Sequence, residues 1–241
     1  MEISNIQEFV EAISNYRSAN DTIWFRGHSK SDYKLVPGYY RGNYQTSEET
    51  LMTRFKQSAS LMVENVPRDE FDWMFLMQHY GVPTRLLDWT DSALVAMYFC
   101  CSSHEECDGA IWLLKPAIMN EKSSIKDDND SGYLPSFQDD LLQPYQINQL
   151  KNTQRMKQKP IAVIANRNNV RLQAQLGNFT IHHNDKSPIE DLIHDEACQK
   201  LVVKADAKAK LRDNLETLGI TKLQLFPELA SVGEILRGSM T

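Results

Sequence analysis

The residues of this chain best equipped for chemistry are an arginine and a dense polar block set among apolar neighbours. Arg26 lies inside Trp24-Phe25-Arg26-Gly27-His28. A charged side chain is rarely buried without a partner. An arginine at a strand end can reach a phosphate or a carboxylate, and the glycine beside it lets a ligand approach the backbone. The same arginine also reads as an ion pair beneath a loop. His28 adds a proton donor or acceptor, although a lone histidine is more often structural.

The second concentration is Met77-Gln78-His79-Tyr80-Gly81-Val82-Pro83-Thr84-Arg85-Leu86-Leu87-Asp88-Trp89-Thr90, followed by Asp91. Gly81 and Pro83 impose a tight turn, and Arg85 and Asp88 can pair across it. The alternative is a polar network that only pins the turn to the core. A helix starts directly after the block, so its free N–H groups can receive an anion. Arg26 and that helix start make a diphosphate cradle if they meet in space. Further on, Gln173 and Gln175 alternate just before a strand. Alternation places both on one face, where they read a ligand or satisfy backbone groups at a sheet edge.

The elements that must position these groups are legible in outline. Ser4 caps a first helix with Phe9, Val10, Ile13 and Tyr16 on one face. An apolar strand covers 22–26. Ser47 opens a second helix with Leu51, Phe55, Ala59 and Met62 inward. Residues 69–80 form a third, with Phe71, Met74, Phe75 and Met77 inward, and Gly81 ends it. Residues 86–87 read as a short strand. Asp91 or Thr90 caps a very apolar helix over 92–101. Strands are expected at 110–114, 161–165, 179–183 and 201–203, and a helix at 207–218. Residues 117–160 read as a polar surface excursion with room for short helices. This order predicts one α+β domain over 1–241, with a helical N-terminal half packed on a small, mixed, mainly antiparallel sheet.

Bulk properties set limits. At 241 residues and 41% hydrophobic content the chain can build a sizeable core. It has no apolar run long enough to span a membrane and no signal-peptide pattern at residues 1–5. Its four cysteines lack a disulfide-framework spacing, so a reducing cytoplasm is the expectation. The net charge of −6 weighs against bulk electrostatic binding of nucleic acid. One tract is locally basic: Lys151, Arg155, Lys157, Lys159, Arg167 and Arg171. Asp127-Asp128-Asn129-Asp130-Ser131-Gly132 imitates the start of a calcium loop but has Gln138 at its closing position. Cys100, Cys101, His104 and Cys107 lack zinc-site spacing, and no metal is expected. Nucleotide P-loop, GxGxxG, GxSxG and HExxH patterns are absent.

At Phe25-Arg26-Gly27 the chain resembles the FRG domain family, named for that triplet. Tyr33-Lys34-Leu35-Val36-Pro37 with Arg41, the whole 77–90 block, Asp108-Gly109-Ala110-Ile111-Trp112, Gln175-Leu176-Gly177-Asn178-Phe179-Thr180 and Leu225-Phe226-Pro227 carry the resemblance onward. More distantly, an arginine-glycine ending a first strand is similar to the first motif of ADP-ribosyltransferases. Asp88-Trp89-Thr90-Asp91 leading into Ala93-Leu94-Val95-Ala96-Met97-Tyr98-Phe99 is similar to their second. That resemblance implies an ADP-ribosyltransferase-like fold, NAD as substrate, and a protein or nucleic-acid acceptor. It also implies a toxin or anti-phage role in bacteria. Under it Arg26 clamps phosphate beside Gly27, His28 and Gln78 orient the ligand, and Tyr80 stacks on nicotinamide. Arg85 and Asp88 hold the loop, Thr90 braces the site, Gln175 fixes a ribose hydroxyl, and Gln173 contacts the cofactor. Those enzymes place a glutamate where this chain has Gln173 and Gln175, so either Asp88 or Asp91 supplies the negative charge, or the site binds without fast transfer, or the similarity does not extend to mechanism. The alternative is a non-catalytic module that binds a nucleotide, a nucleic acid or a protein.

Overall fold

The computed structural model describes residues 1–18, 21–63, 65–150, 152–153, 158–167, 169–193, 196–238 and 240. Their strands are β1 Glu2–Ile3, β2 Trp24–His28, β3 Leu86–Thr90, β4 Gly109–Leu114, β5 Ile161–Val163, β6 Gly177–Ile181 and β7 Cys198–Val203. They form a seven-stranded sheet in the order β1-β7-β4-β2-β3-β6-β5. Only the β1–β7 pair is parallel; the other neighbours are antiparallel. Helices and a mixed, mainly antiparallel sheet make the fold α+β, as the element order predicts.

Strand alternation sorts the apolar residues onto two faces. On one face Phe25, Ile111, Leu113, Leu201 and Val203 pack under α1 (Ile6–Tyr16), α5 (Ala93–Cys101) and α9 (Lys208–Thr217), meeting Phe9, Met97 and Leu211. Further along the same face, Leu86, Ile161, Phe179 and Ile181 pack against Phe71, Met74 and Met77 of α4 (Glu70–His79) and Met52 of α3 (Glu48–Ala59). The opposite face carries Trp24, Leu87, Trp89, Trp112 and Leu114, covered by Leu35, Met119 and Ile189.

Central strand β2 is unevenly paired. It makes five register pairs with β4, from Trp24 with Leu114 to His28 with Ala110. With β3 it makes one, Phe25 with Thr90. Past that pair the strands part, and the two core clusters of the first face lie on either side of the parting.

Several local expectations need correction. Asn5, not Ser4, caps α1 by accepting from Glu8 N at 2.9 Å, and Val10 faces solvent. Met62 lies beyond the end of α3 and is exposed. Ser92 caps α5, taking the Val95 N–H at 3.4 Å, while Thr90 and Asp91 are engaged elsewhere. The 117–160 stretch is not a mere surface excursion. It begins with α6 (Pro116–Lys122) and includes a 3-10 helix at Asp140–Tyr145, and it sends Met119, Phe137, Leu142, Tyr145 and Ile147 into the core. Asn120, fully buried, exchanges two hydrogen bonds with the Ala162 backbone, each 2.8 Å. A polar composition hid these contacts because widely spaced apolar residues carry them.

Asp127 and Asp130 turn their carboxylates onto the Asn129 and Gly132 N–H groups. No cluster of metal-ligating residues occurs among the described residues. Of the basic tract, Lys151, Arg155 and Lys157 lie outside the described residues. No described helix is long and apolar enough to cross a membrane.

Candidate functional site

A cleft of about 300 Å³ opens where β2 and β3 part. Arg26, Gly27, Gln78, Asp88, Thr90 and Gln175 line it. Aromatic walls come from Phe25 of the first core cluster, Phe75 and Phe179 of the second, and Phe99 of α5. His79, Trp89, Asn169, Arg171 and Leu172 complete it.

Arg26 spans the gap between the strands. Its Nη1 donates to the Asp88 carbonyl at 2.5 Å and lies 3.6 Å from Asp88 Oδ2. Its Nε donates to His28 Nε2 at 3.0 Å. That bond requires a neutral imidazole with its proton on Nδ1, directed at the Tyr33 carbonyl 3.3 Å away. Burial, and then the neighbouring Arg26 charge, push the His28 pKa down to about 3, which agrees with a neutral ring. Burial likewise lowers the Arg26 pKa, and the Asp88 charge opposes the shift. His28 therefore stands behind the arginine and aims it; it does not line the cleft.

Asp88 is the acid of the cleft. Its side chain remains 60% exposed, against 16% for Arg26. Gln78 Nε2 donates to Asp88 Oδ1 at 2.8 Å, and Thr84 Oγ1 donates to Gln78 Oε1 and so fixes the amide's orientation. Asp91, the other candidate acid, is bonded to Arg167 and to Asn178 Nδ2. It does not line the cleft.

Thr90 closes one end. Its hydroxyl donates to the Gln175 carbonyl at 2.6 Å and accepts from Ser92 N at 3.0 Å. This ties β3 to the end of α7 (Val170–Ala174). The Gln175 amide nitrogen donates to the Leu225 carbonyl at 3.0 Å, so that side chain anchors the C-terminal segment. Gln173 is exposed and does not line the cleft. Residues 170–174 are helical rather than extended, and two helical positions point to nearly opposite sides. The shared face expected for Gln173 and Gln175 does not exist.

Three further expectations are overturned. Arg85 does not pair with Asp88. It is fully buried, with Nε on Glu48 Oε2 at 2.5 Å, Nη1 on the His182 carbonyl and Nη2 on the Tyr145 carbonyl, both 2.6 Å. It therefore has no access to a ligand. Tyr80 is 68% exposed and lies outside the cleft. It borders a larger groove of about 1370 Å³ whose walls, including Phe55, Met62, Val66 and Leu76, are mainly apolar. The start of α5 does not line the cleft either; of that helix only Phe99, near its C-terminal end, does so.

Gly27 has a reason different from the expected one. A Cβ there would stand 1.9 Å from the Ala96 carbonyl oxygen and 2.7 Å from Cys100 N. The glycine admits helix α5 against the strand.

Glu48, the partner of Arg85, carried no signal beyond its place in the first turn of a helix. Asn169 could have been found as a helix cap, since it accepts from Leu172 N at 2.7 Å. Arg171 stacks over Phe226 at 4.7 Å and, with His79, approaches Glu228 at 4.0 Å. Burial, and then Arg171, lower the His79 pKa while Glu228 opposes them.

Residues 21–109 match the family model of the FRG domain. That span brings Arg26, Gln78, Asp88 and Thr90; the facing wall of Asn169, Arg171 and Gln175 comes from outside it. No curated protein and no solved structure matches the chain.

Proposed function

We propose, from an aromatic-walled cleft in which an arginine lies beside an acid within the span that matches the FRG domain, an NAD site that transfers ADP-ribose to an acceptor. The observation that carries this reading is the convergence of Arg26, Asp88 and Thr90 on one cleft, from strands that the chain separates by some sixty residues.

The residues suit the ligand. Arg26 offers a rigid donor fork for a diphosphate. Phe25, Phe75, Phe99 and Phe179 provide apolar walls for a nicotinamide ring. Asp88, held by Gln78 and beside Arg26, can accept from a ribose hydroxyl. Its negative charge opposes the positive charge that develops at the anomeric carbon as the bond to nicotinamide breaks. Nicotinamide leaves with the electron pair of that C–N bond. A nucleophile of the acceptor bonds to the same carbon and releases its proton to solvent. Asp88 replaces the glutamate of the resembled enzymes from a different strand.

A protein acceptor fits better than a nucleic acid. The mainly apolar groove shares Phe75, His79 and Asn169 with the cleft, and the chain is acidic overall. A second reading, nucleotide binding without turnover, is favoured by the engagement of the Gln175 amide with Leu225.

The test is incubation of the chain with labelled NAD. Wild type should consume it. Asp88→Asn should bind NAD within about threefold of wild type yet react about 100-fold or more slowly, the usual worth of one charge-stabilising group. Arg26→Lys should weaken binding by loss of the fork. Binding without consumption, unchanged in Asp88→Asn, would establish the second reading. No binding by wild type would refute both.

A further inference from the structure

The site continues past Arg26. A second cleft, of about 490 Å³, shares Arg26, Gln78 and Asp88 with the first and extends to Arg41 and Tyr44. The two clefts adjoin, as two lobes, along the side chains of Arg26, Gln78 and Asp88.

The second lobe is lined by the loop after β2. Arg41 lies in the last turn of α2 (Gly38–Arg41), and α2 is tied to the 81–84 turn by the Tyr39 N–H on the Thr84 carbonyl at 3.0 Å. Arg41 is exposed and has no acid within ion-pair distance among the described residues. Arg26 already has Asp88, so Arg41 brings the uncompensated positive charge to the lobe. The two cations act on each other, since Arg41 contributes to the lowered pKa of both Arg26 and His28. Tyr44 is half exposed. Its ring stacks on Tyr39, with centroids 6.1 Å apart and planes 15° apart, and packs close over Gly42. The ring is thus held by Tyr39 and Gly42, while half of the residue stays open to solvent, where its ring can meet a planar group.

A ligand of two ring-and-ribose halves joined by a diphosphate matches two lobes that share an arginine. The lobe with Thr90 and the four phenylalanines holds the reacting half under the reading proposed above, on which this inference rests. We infer that the second lobe takes the adenosine-phosphate half of the dinucleotide, with Arg41 on phosphate and Tyr44 against adenine.

Titration calorimetry on the full chain with NAD, ADP and nicotinamide mononucleotide tests this. Arg41→Ala should weaken NAD and ADP by about tenfold or more, the worth of a charge-assisted hydrogen bond. It should leave nicotinamide mononucleotide within about twofold, taken as the margin for a change of much less than one hydrogen bond. Tyr44→Ala should weaken ADP and Tyr44→Phe should not. Both positions are exposed, so thermal melting should match wild type. If wild type binds NAD and Arg41→Ala leaves ADP affinity unchanged, or weakens the mononucleotide equally, the inference is overturned and the NAD reading stands. If wild type binds ADP in an Arg41-dependent way but not NAD, the nucleotide lobe stands and the NAD reading falls. If wild type binds none of the three, both fall.

Discussion

Gly27→Ala separates two reasons for the glycine of the Phe25-Arg26-Gly27 triplet. An added Cβ would meet Ala96 O at 1.9 Å, Cys100 N at 2.7 Å and Ala96 C at 2.9 Å, all backbone atoms of α5. Unstrained contact needs about 3.5 Å, so strand and helix must part by roughly 1.5 Å. That shift loosens the cluster of Phe25, Ala96, Met97, Cys100 and Ile111, of which Ala96, Met97, Cys100 and Ile111 are fully buried. Overpacking costs about 1–3 kcal/mol when side chains can adjust. A helix backbone cannot rotate aside, so about 3 kcal/mol is expected, a large share of the roughly 5–15 kcal/mol that holds a domain together. With a urea m-value of roughly 3 kcal/mol/M the midpoint should fall by about 1 M at unchanged slope. Gly81→Ala is the control. Its φ is +78° with nothing within 4 Å of the new Cβ, so it should cost only the left-handed penalty of about 1–2 kcal/mol. A Gly27→Ala protein with the wild-type midpoint but no nucleotide affinity would refute the reasoning and return the glycine to the ligand.

Glu48→Ala should destabilise the chain by about 3–5 kcal/mol, because it strands the fully buried Arg85 guanidinium. The double change Glu48→Leu with Arg85→Met should recover much of that loss in urea titrations, and strict additivity of the single changes would contradict the pairing. Stability should also fall on acidification. The pKa values of His28 and His182 are pushed down, chiefly by burial, to about 3 and about 4, whereas an unfolded histidine titrates near 6.5. Below about pH 6.5 the unfolded chain takes up protons that the folded chain refuses. Stability present above that pH is therefore lost as the pH falls, by about 2 kcal/mol per histidine at pH 5. His28→Gln, whose amide oxygen still accepts from Arg26 Nε, should flatten the decline by one histidine's share; an unchanged pH slope would show that His28 is not the group responsible.

The amino-acid sequence by itself determined the local matters. Apolar alternation and turn residues located β2, β4 and α4, and Gly81 with Pro83 marked the turn before β3. Residue chemistry singled out Arg26, Gln78 and Asp88, which meet at one cleft. These features depend on neighbours within a few residues, where periodicity and φ/ψ preference act. What only the tertiary structure decided were pairings across the chain. Arg85 found Glu48 thirty-seven residues away, and Gly27 found the backbone of α5. Gln175 turned to Leu225, and Asp91 to Arg167 and Asn178. An arginine, a glutamine or an aspartate has the same donors and acceptors wherever it stands in the chain. Which of them face a cleft and which are enclosed depends on the order in which strands pair, and in particular on β2 and β3 parting after a single residue pair.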